Sequence, residues 1–133
     1  MKVVLSTEDI KLINLFQNFT GSHVIDCHID DEIYIIVANG QYGLAVGKNG
    51  AKIKNVENIL KKKIKLFEYS DNAETFLKNL IPQAKEINIK NKVAEIKLMN
   101  YDKAKVIGKG GKNINIIKKF MKRLFDIEDI KIL

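Results

Sequence analysis

Two short stretches decide how this sequence is interpreted: Val46-Gly-Lys-Asn-Gly-Ala-Lys-Ile53 and Ile107-Gly-Lys-Gly-Gly-Lys-Asn-Ile114. They align at an offset of 61 residues, with both glycines and the first lysine of one motif on those of the other. The alignment continues downstream, where Val56 falls on Ile117. One structural unit therefore occurs twice in the chain.

The first repeat begins with a capping pattern, in which Ser6 precedes Asp9 by three residues and an amphipathic helix runs to Gly21. The apolar residues of this helix are Ile10, Ile13, Leu15, Phe16 and Phe19. Beyond it, β-branched runs predict strands over 23–29, 32–38 and 64–67, with a short helix over 41–46. A longer helix follows the glycine loop and buries Ile53, Val56 and Leu60.

The second repeat predicts the same order of elements. A helix capped at Asp71, with Glu74 in its first turn, runs to Leu80 and is ended by Pro82. The other predicted elements are strands over 87–89, 93–99 and 127–133 and helices over 101–107 and 114–125. Each unit thus has the order helix, strand, strand, helix, glycine loop, helix, strand. We predict an α+β protein of two domains, 1–69 and 70–133, joined almost without a linker and packed as one rigid body.

The basic residues are concentrated around the two motifs. Residues 47–65 carry seven lysines against one acid, and residues 103–123 carry seven lysines and one arginine with no acid. Together these windows hold 15 of the 23 basic residues, whereas residues 1–45 carry two lysines against six acids. Such clustering is typical of a surface that binds a polyanion, because each neutralised phosphate releases counterions. Two solvated helix faces in a lysine-rich protein would give the same pattern.

The glycine loops, Gly47-Lys-Asn-Gly50 and Gly108-Lys-Gly-Gly111, are candidates for binding a phosphate backbone. Glycine lets a ligand approach the main chain closely, and the helix that follows presents N–H groups and a positive dipole end. A tight helix–helix turn is the structural alternative, and the occurrence of two copies argues against it. A P-loop would need a glycine, four residues and then Gly-Lys-Ser/Thr, and neither loop has this spacing. A dinucleotide fingerprint would need a third glycine at position 113, which is Asn113.

The two motifs resemble the signature of KH domains, in which such a loop clamps the backbone of a nucleic acid. The helix-first order resembles the prokaryotic, type II, arrangement. The linkerless pair is most similar to the NusA-related proteins of archaea, over essentially all 133 residues. That resemblance implies two modules with one extended surface for single-stranded RNA, and a role in transcription elongation or termination. A chain of this length is expected to lack the polymerase-binding N-terminal and S1 domains of bacterial NusA.

The resemblance implies which positions would contact RNA. The loop residues Gly47, Lys48, Asn49 and Gly50, and Gly108, Lys109, Gly110 and Gly111, would each hold one stretch of backbone. Beside them, Val46, Ile53, Ile107 and Ile114 would line the grooves against which bases lie, although helical spacing explains them equally as core. Lys52, Lys54 and Lys112 are candidates for further phosphate contacts, with a solvated helix face as the alternative. Aromatic residues are sparse in both basic windows, so extensive base stacking is not expected.

Other classes of site have little support in the sequence. His23, Cys27 and His28 form the only metal-like cluster, but on a regular strand His28 would point away from the other two and no fourth ligand is evident. Nucleophilic catalysis would need a serine or cysteine with a histidine base, and the sequence has histidine only at positions 23 and 28. The acidic run Asp30-Asp-Glu32 is interpreted as a solvated turn. We therefore expect neither an enzyme nor a cofactor. The single cysteine and the absence of a secretory signal or membrane span predict a cytoplasmic protein.

Three functions remain open at this stage. The favoured one is a single-stranded RNA-binding factor in transcription, with RNA polymerase or a transcription complex as partner. A ribosome-associated or RNA-processing factor would use the same modules, because the loops would contact backbone and not base identity. The third is a protein-interaction adaptor whose acidic N-terminal region docks a basic partner. The sequence leaves the oligomeric state undetermined, with a monomer favoured, and predicts no membrane association.

Overall fold

The computed structural model describes residues 3–133, which form two compact units: one is Val4–Ser70, and the other is Asp71–Leu133 together with Val3. Met1 and Lys2, which fall within the first predicted domain, lie outside the described residues. The mixed α+β class is confirmed, and the order of elements in each unit is the predicted one. No helix among the described residues is long and apolar enough to cross a membrane.

The first unit contains three helices and a three-stranded sheet. The helices are α1 (Thr7–Thr20), α2 (Tyr42–Val46) and α3 (Ala51–Leu60), and the strands are β1 (Val24–Ile29), β2 (Ile33–Val37) and β3 (Ile64–Glu68). The strand β2 is central, antiparallel to β1 and parallel to β3. A 3₁₀ turn at Lys48–Gly50 joins α2 to α3.

The second unit repeats this topology. Its helices are α4 (Ala73–Leu80), α5 (Asn100–Ile107) and α6 (Lys112–Phe125), and its strands are β4 (Glu86–Lys90), β5 (Val93–Lys97) and β6 (Asp129–Ile132). The central strand β5 is antiparallel to β4 and parallel to β6. A 3₁₀ turn at Lys109–Gly111 joins α5 to α6.

Local hydrogen bonds fix where the first helix of each unit begins. In α1 the predicted capping box is confirmed: the Asp9 N–H donates to Ser6 Oγ at 3.1 Å, and the Ser6 N–H donates to Asp9 Oδ2 at 2.9 Å. In α4 the cap is Asn72, whose Oδ1 accepts from the Thr75 N–H at 2.9 Å. The prediction of Asp71 as this cap was wrong by one residue, because both side chains can accept a backbone hydrogen bond.

The strand β1 departs from the regular alternation that its sequence predicts. Val24 pairs with Val37 but Asp26 pairs with Ile36, so Ile25 is an extra residue at a β-bulge. The bulge places Val24 and Cys27 on the core face of the sheet, while Asp26 lies on the opposite face and is also buried. The Cys27 N–H donates to Asp26 Oδ1 at 2.8 Å, which supplies one partner for the buried carboxylate.

The helix α1 buries only part of the predicted face, since Phe16 is fully buried and Ile13 packs against the core. Leu12, Phe16 and Thr20 are buried, whereas Ile10 and Phe19 are 47% and 45% exposed. The Thr20 hydroxyl donates to the Phe16 carbonyl at 2.8 Å, which satisfies a buried polar group on the core side of the helix. The apolar residues alone therefore placed the helix correctly but misjudged its rotation.

Each unit packs its helices against its own sheet. In the first unit all five residues of β2 are buried, and the largest fully buried side chain is Phe16. In the second unit α6 supplies most of the buried face, as Phe120 and Met121 are fully buried. Because α3 and α6 are anchored in this way, the turns that precede them are held in fixed positions.

Candidate nucleic-acid interface

The first glycine loop is a single 3₁₀ turn with unusual backbone angles. Gly47 has φ 77° and ψ 173°, while Asn49 and Gly50 have φ values of 54° and 75°. The Gly50 N–H donates to the Gly47 carbonyl at 3.1 Å, and the Ala51 N–H donates to the Lys48 carbonyl. These bonds bring α2 and α3 together at a sharp corner with Lys48 and Asn49 at its tip.

The second loop has the same conformation. Gly108 has φ 78° and ψ 169°, and Gly110 and Gly111 have φ values of 64° and 78°. Its Gly111 N–H donates to the Gly108 carbonyl at 3.1 Å, as in the first loop. Asn49 occupies the position of Gly110, which fits the tolerance of asparagine for the left-handed region. The structure therefore shows one loop geometry built twice from slightly different residues.

The first glycine of each loop is required by the chain's own packing. A Cβ atom at Gly47 would lie 2.6 Å from Lys52 Cγ and 3.0 Å from Lys52 N, and one at Gly108 would lie 2.9 Å from Asn113 N. The sequence predicted glycine here mainly to admit a ligand. The structure shows that glycine is also needed because the loop backbone lies close to the first turn of the following helix. Open space for a ligand lies instead at Gly110, where a Cβ would meet nothing within 4 Å.

Both loops end at a helix start that no side chain caps. The N-cap residues of α3 and α6 are Gly50 and Gly111, and neither helix start has a side-chain capping hydrogen bond. No acidic residue lies in the first turn of either helix. Each start thus keeps its positive dipole end uncompensated, which favours an anion at the loop.

Exposed lysines surround these two helix starts. Lys48 and Lys109 are exposed at the tips of the loops, and Lys54 and Lys112 are exposed in the first turns of α3 and α6. Along α3 the basic surface continues into a shallow depression of about 470 Å³. Its lining residues are Lys54, Glu57, Asn58, Lys61, Lys62 and Lys63. The arrangement can attract a polyanion both at the loop and along the helix behind it.

Lys52 has a different role from the predicted one. Its side chain is half-buried, and Nζ donates to the Thr20 carbonyl at 3.0 Å, at the C-terminal end of α1. A cation at this position satisfies an unpaired carbonyl and the negative end of the α1 dipole. Lys52 therefore ties α3 to α1, and its ammonium group is not presented at the loop.

Removing the Lys52 ammonium is expected to destabilise the first unit. Lys52→Met should lower the free energy of unfolding by about 1 kcal/mol, the value of a charge-assisted hydrogen bond discounted for partial exposure. Lys54→Met, at an exposed position of the same helix, should change it by less than about 0.5 kcal/mol. Urea unfolding followed by circular dichroism would compare them, and equal midpoints would show that the bond to Thr20 contributes nothing.

The candidate groove residues divide between core and surface. Val46 and Ile53 are half-buried and pack against the core of the first unit, and Ile107 is half-buried in the second. Ile114 is only 7% exposed and belongs to the core. Three of the four predicted groove residues therefore keep some exposed apolar surface beside a loop, and the fourth supports the helix from within.

Comparison with known proteins identifies the family. A family model described as "KH domain" matches residues 12–97, which run from α1 to the last residue of β5. The chain belongs to the KH-domain family.

Relatives of this KH-family chain match it over nearly its whole length. It is 35% identical to "Probable transcription termination protein NusA" of Methanococcus vannielii, over 99% of this chain and 80% of that protein. It is 33% identical to the protein of the same name in Halococcus morrhuae, over 99% of both. A solved structure, "Crystal structure of APE1850", superposes with a TM-score of 0.77 at 31% identity, covering 97% of this chain and 100% of that one.

Two residues near the KH-family loops were missed by the sequence analysis. Asn113 aligns with Lys52, and its Nδ2 donates to the Val106 carbonyl at 2.8 Å, so it ties α6 to α5. A polar residue at the second position of both helices was the available signal. Tyr101, on α5, is 77% exposed. Within residues 3–133, no group of three or more potential ligands is arranged to hold a metal ion.

Proposed function

We propose that this protein binds single-stranded RNA through two tandem KH modules of type II, one over residues 1–69 and the other over 70–133. Each Gly-x-x-Gly loop holds one stretch of RNA backbone, and both modules engage the same strand. Catalysis plays no part in this function. The half-buried aliphatic residues beside the loops, such as Val46 and Ile107, give bases an apolar surface to lie on.

The observation that carries this proposal is the repeated loop. Each unit presents the same 3₁₀ turn, an exposed lysine at its tip and an uncapped helix start behind it. A helix start and a cation together are complementary to a phosphate group. A turn needed only to join two helices would not require the lysine, and both copies have it.

The relatives favour a role in transcription. The two relatives described above are named for transcription termination, and they match this chain across nearly all of its residues. We propose that the chain acts on nascent RNA in elongation or termination, in the cytoplasm, with RNA polymerase or a transcription complex as its partner. Recovery of polymerase subunits from a pulldown would support this partner, and recovery of ribosomal particles alone would replace it with a ribosome-associated role.

Acidic substitutions at the loop tips test the RNA-binding proposal directly. Lys48→Asp/Asn49→Asp and Lys109→Asp/Gly110→Asp should each weaken binding of a single-stranded RNA of about a dozen nucleotides by roughly ten-fold or more, and the combination should abolish it. The substituted positions are exposed, and a Cβ at Gly110 meets nothing within 4 Å, so the fold should be retained. Fluorescence anisotropy at near-physiological salt would measure the affinity, and circular dichroism the fold.

The chain offers a matched control at the β4–β5 turn. Lys90→Asp/Asn91→Asp makes the same change of charge at a Lys-Asn pair, and Asn91 has φ 50°, close to that of Asn49. The neighbouring Lys92 pairs with Asp126 at 3.0 Å, just past the end of α6, so this turn lies about 20 Å of helix away from the second loop. If the control weakens binding as much as the loop variants do, attraction is merely electrostatic and the clamp proposal fails.

A further inference from the structure

The most exposed large apolar side chain among the described residues is Tyr101, at 77%. Tyr101 is the second residue of α5, the helix that leads into the second glycine loop. A tyrosine at this degree of exposure presents a flat, rigid face on which a nucleic-acid base can stack. It lies on the helix that ends at the second loop, which makes an RNA base the candidate partner.

Helical spacing places Tyr101 in line with the loop. Residues Tyr101, Ala104, Lys105 and Gly108 follow the i, i+3, i+4, i+7 pattern of one helix face, and the first three are exposed. Ala104 is small, and Lys105 is the one long side chain of this face between the ring and the loop. The rise of the helix puts Tyr101 about 10 Å from Gly108 along the axis. This face therefore carries the ring, a cation and the first glycine of the loop, in that order along α5.

The first unit has no equivalent of this surface. At the offset of 61 residues, Tyr101 aligns with Gly40 and Lys105 with Leu44. Tyr42, the exposed tyrosine of α2, stands at a different position of its unit and is 47% exposed against 77% for Tyr101. The two loops share one geometry, but the surfaces beside them differ in the position and exposure of their tyrosine and in basic character.

We propose that Tyr101 is a base-stacking platform on the helix that leads into the second loop, so that the second module holds a base by aromatic stacking whereas the first offers bases an aliphatic surface. This inference rests on the proposed RNA-binding function. Lys105 contacts the phosphate of the nucleotide whose base lies on the ring. Stacking on a tyrosine tolerates any base, and it therefore adds affinity with little sequence preference.

The sequence contains no tryptophan, so the fluorescence of a single introduced tryptophan reports on its own position. Tyr101→Trp gives a chain with one tryptophan at the proposed platform, and Tyr42→Trp gives the matched reporter beside the first loop. On saturation with a single-stranded RNA of about a dozen nucleotides, we expect strong quenching of the Tyr101→Trp emission by a stacked base. The Tyr42→Trp emission should change little, and anisotropy of the same samples would show that both variants bind.

The RNA affinities of substituted proteins then distinguish stacking on the ring from simple apolar contact. Tyr101→Leu removes the ring and keeps an apolar side chain, and it should weaken binding by about 5-fold to 100-fold. Tyr101→Phe keeps the ring and should bind within about two-fold of the wild type. Lys105→Gln should reduce the slope of log affinity against log salt by about one. Lys97→Gln, at an exposed position on β5, should leave that slope unchanged.

Each outcome supports or overturns the inference. RNA binding without quenching of the Tyr101→Trp emission overturns it, and the loop clamp then stands alone. Equal quenching of both reporters overturns the proposed difference between the modules. If Tyr101→Leu binds like Tyr101→Phe, the ring has no stacking role. Failure of the wild type to bind RNA would remove the function on which the inference rests, and the anisotropy measurement distinguishes that case from the others.

Discussion

Gly108→Ala is expected to lower the free energy of unfolding by about 3 kcal/mol, although it adds a single methyl group. Its φ of 78° with ψ of 169° lies in a region that is open almost only to glycine. The new Cβ would also lie 2.8 Å from Asn113 Cβ and 2.9 Å from Asn113 N. The backbone nitrogen cannot move without disturbing the first turn of α6, so both costs apply together.

Gly110→Ala is the matched control in the same loop. Gly110 has φ 64° and ψ 19°, the left-handed region that Asn49 adopts in the first loop, and a Cβ there meets nothing within 4 Å. The strain should be partly offset by the lower entropy of the unfolded chain, leaving a change of less than about 1 kcal/mol. Urea unfolding monitored by circular dichroism measures both variants. Equal midpoints for Gly108→Ala and Gly110→Ala would mean that the close approach to Asn113 is not a constraint.

This pair of glycines shows what the sequence could and could not reveal about the loops. The repeated Gly-Lys-x-Gly spacing predicted both the position of the loops and the helices on either side, because the motif interrupts a 3.6-residue apolar period. It did not reveal that Gly47 and Gly108 are required because a Cβ atom at either position would clash with the helix that follows. That requirement depends on the distance to Lys52 and Asn113, which only the folded backbone defines.

Side-chain roles were harder to predict than elements. Lys52 belongs to a basic window and was expected at the phosphate, yet its Nζ binds the Thr20 carbonyl of a helix 32 residues earlier. A long-range bond of this kind leaves no local pattern in the sequence. The bulge in β1 is similar, since nothing in Val24–Ile29 marks Ile25 as the extra residue that places Val24 and Cys27 on the same face of the sheet.

A longer RNA is expected to bind far more tightly than a short one. An RNA of about 6 nucleotides can occupy one module, whereas an RNA of about 20 nucleotides can occupy both modules at once. Linkage of two weak sites typically raises affinity by about 10²-fold to 10⁴-fold. The loops have the same geometry, so under the proposed function each should contribute a similar backbone contact, and the gain should come from joining them. Anisotropy titrations over a series of RNA lengths at fixed salt would show a steep rise, and its position measures the separation of the two sites along the strand.

Inactivating one loop should remove this dependence on length. With Lys109→Asp/Gly110→Asp, long and short RNAs should bind within a few-fold of each other, because only one site remains. The Lys90→Asp/Asn91→Asp control makes the same change of charge at an exposed turn and should keep the steep rise. If affinity grows only in proportion to RNA length in the wild type, each module binds on its own and the pair does not share a strand. If the rise persists after one loop is inactivated, the lysine-rich face of α3 or α6, and not the loop, supplies the second contact.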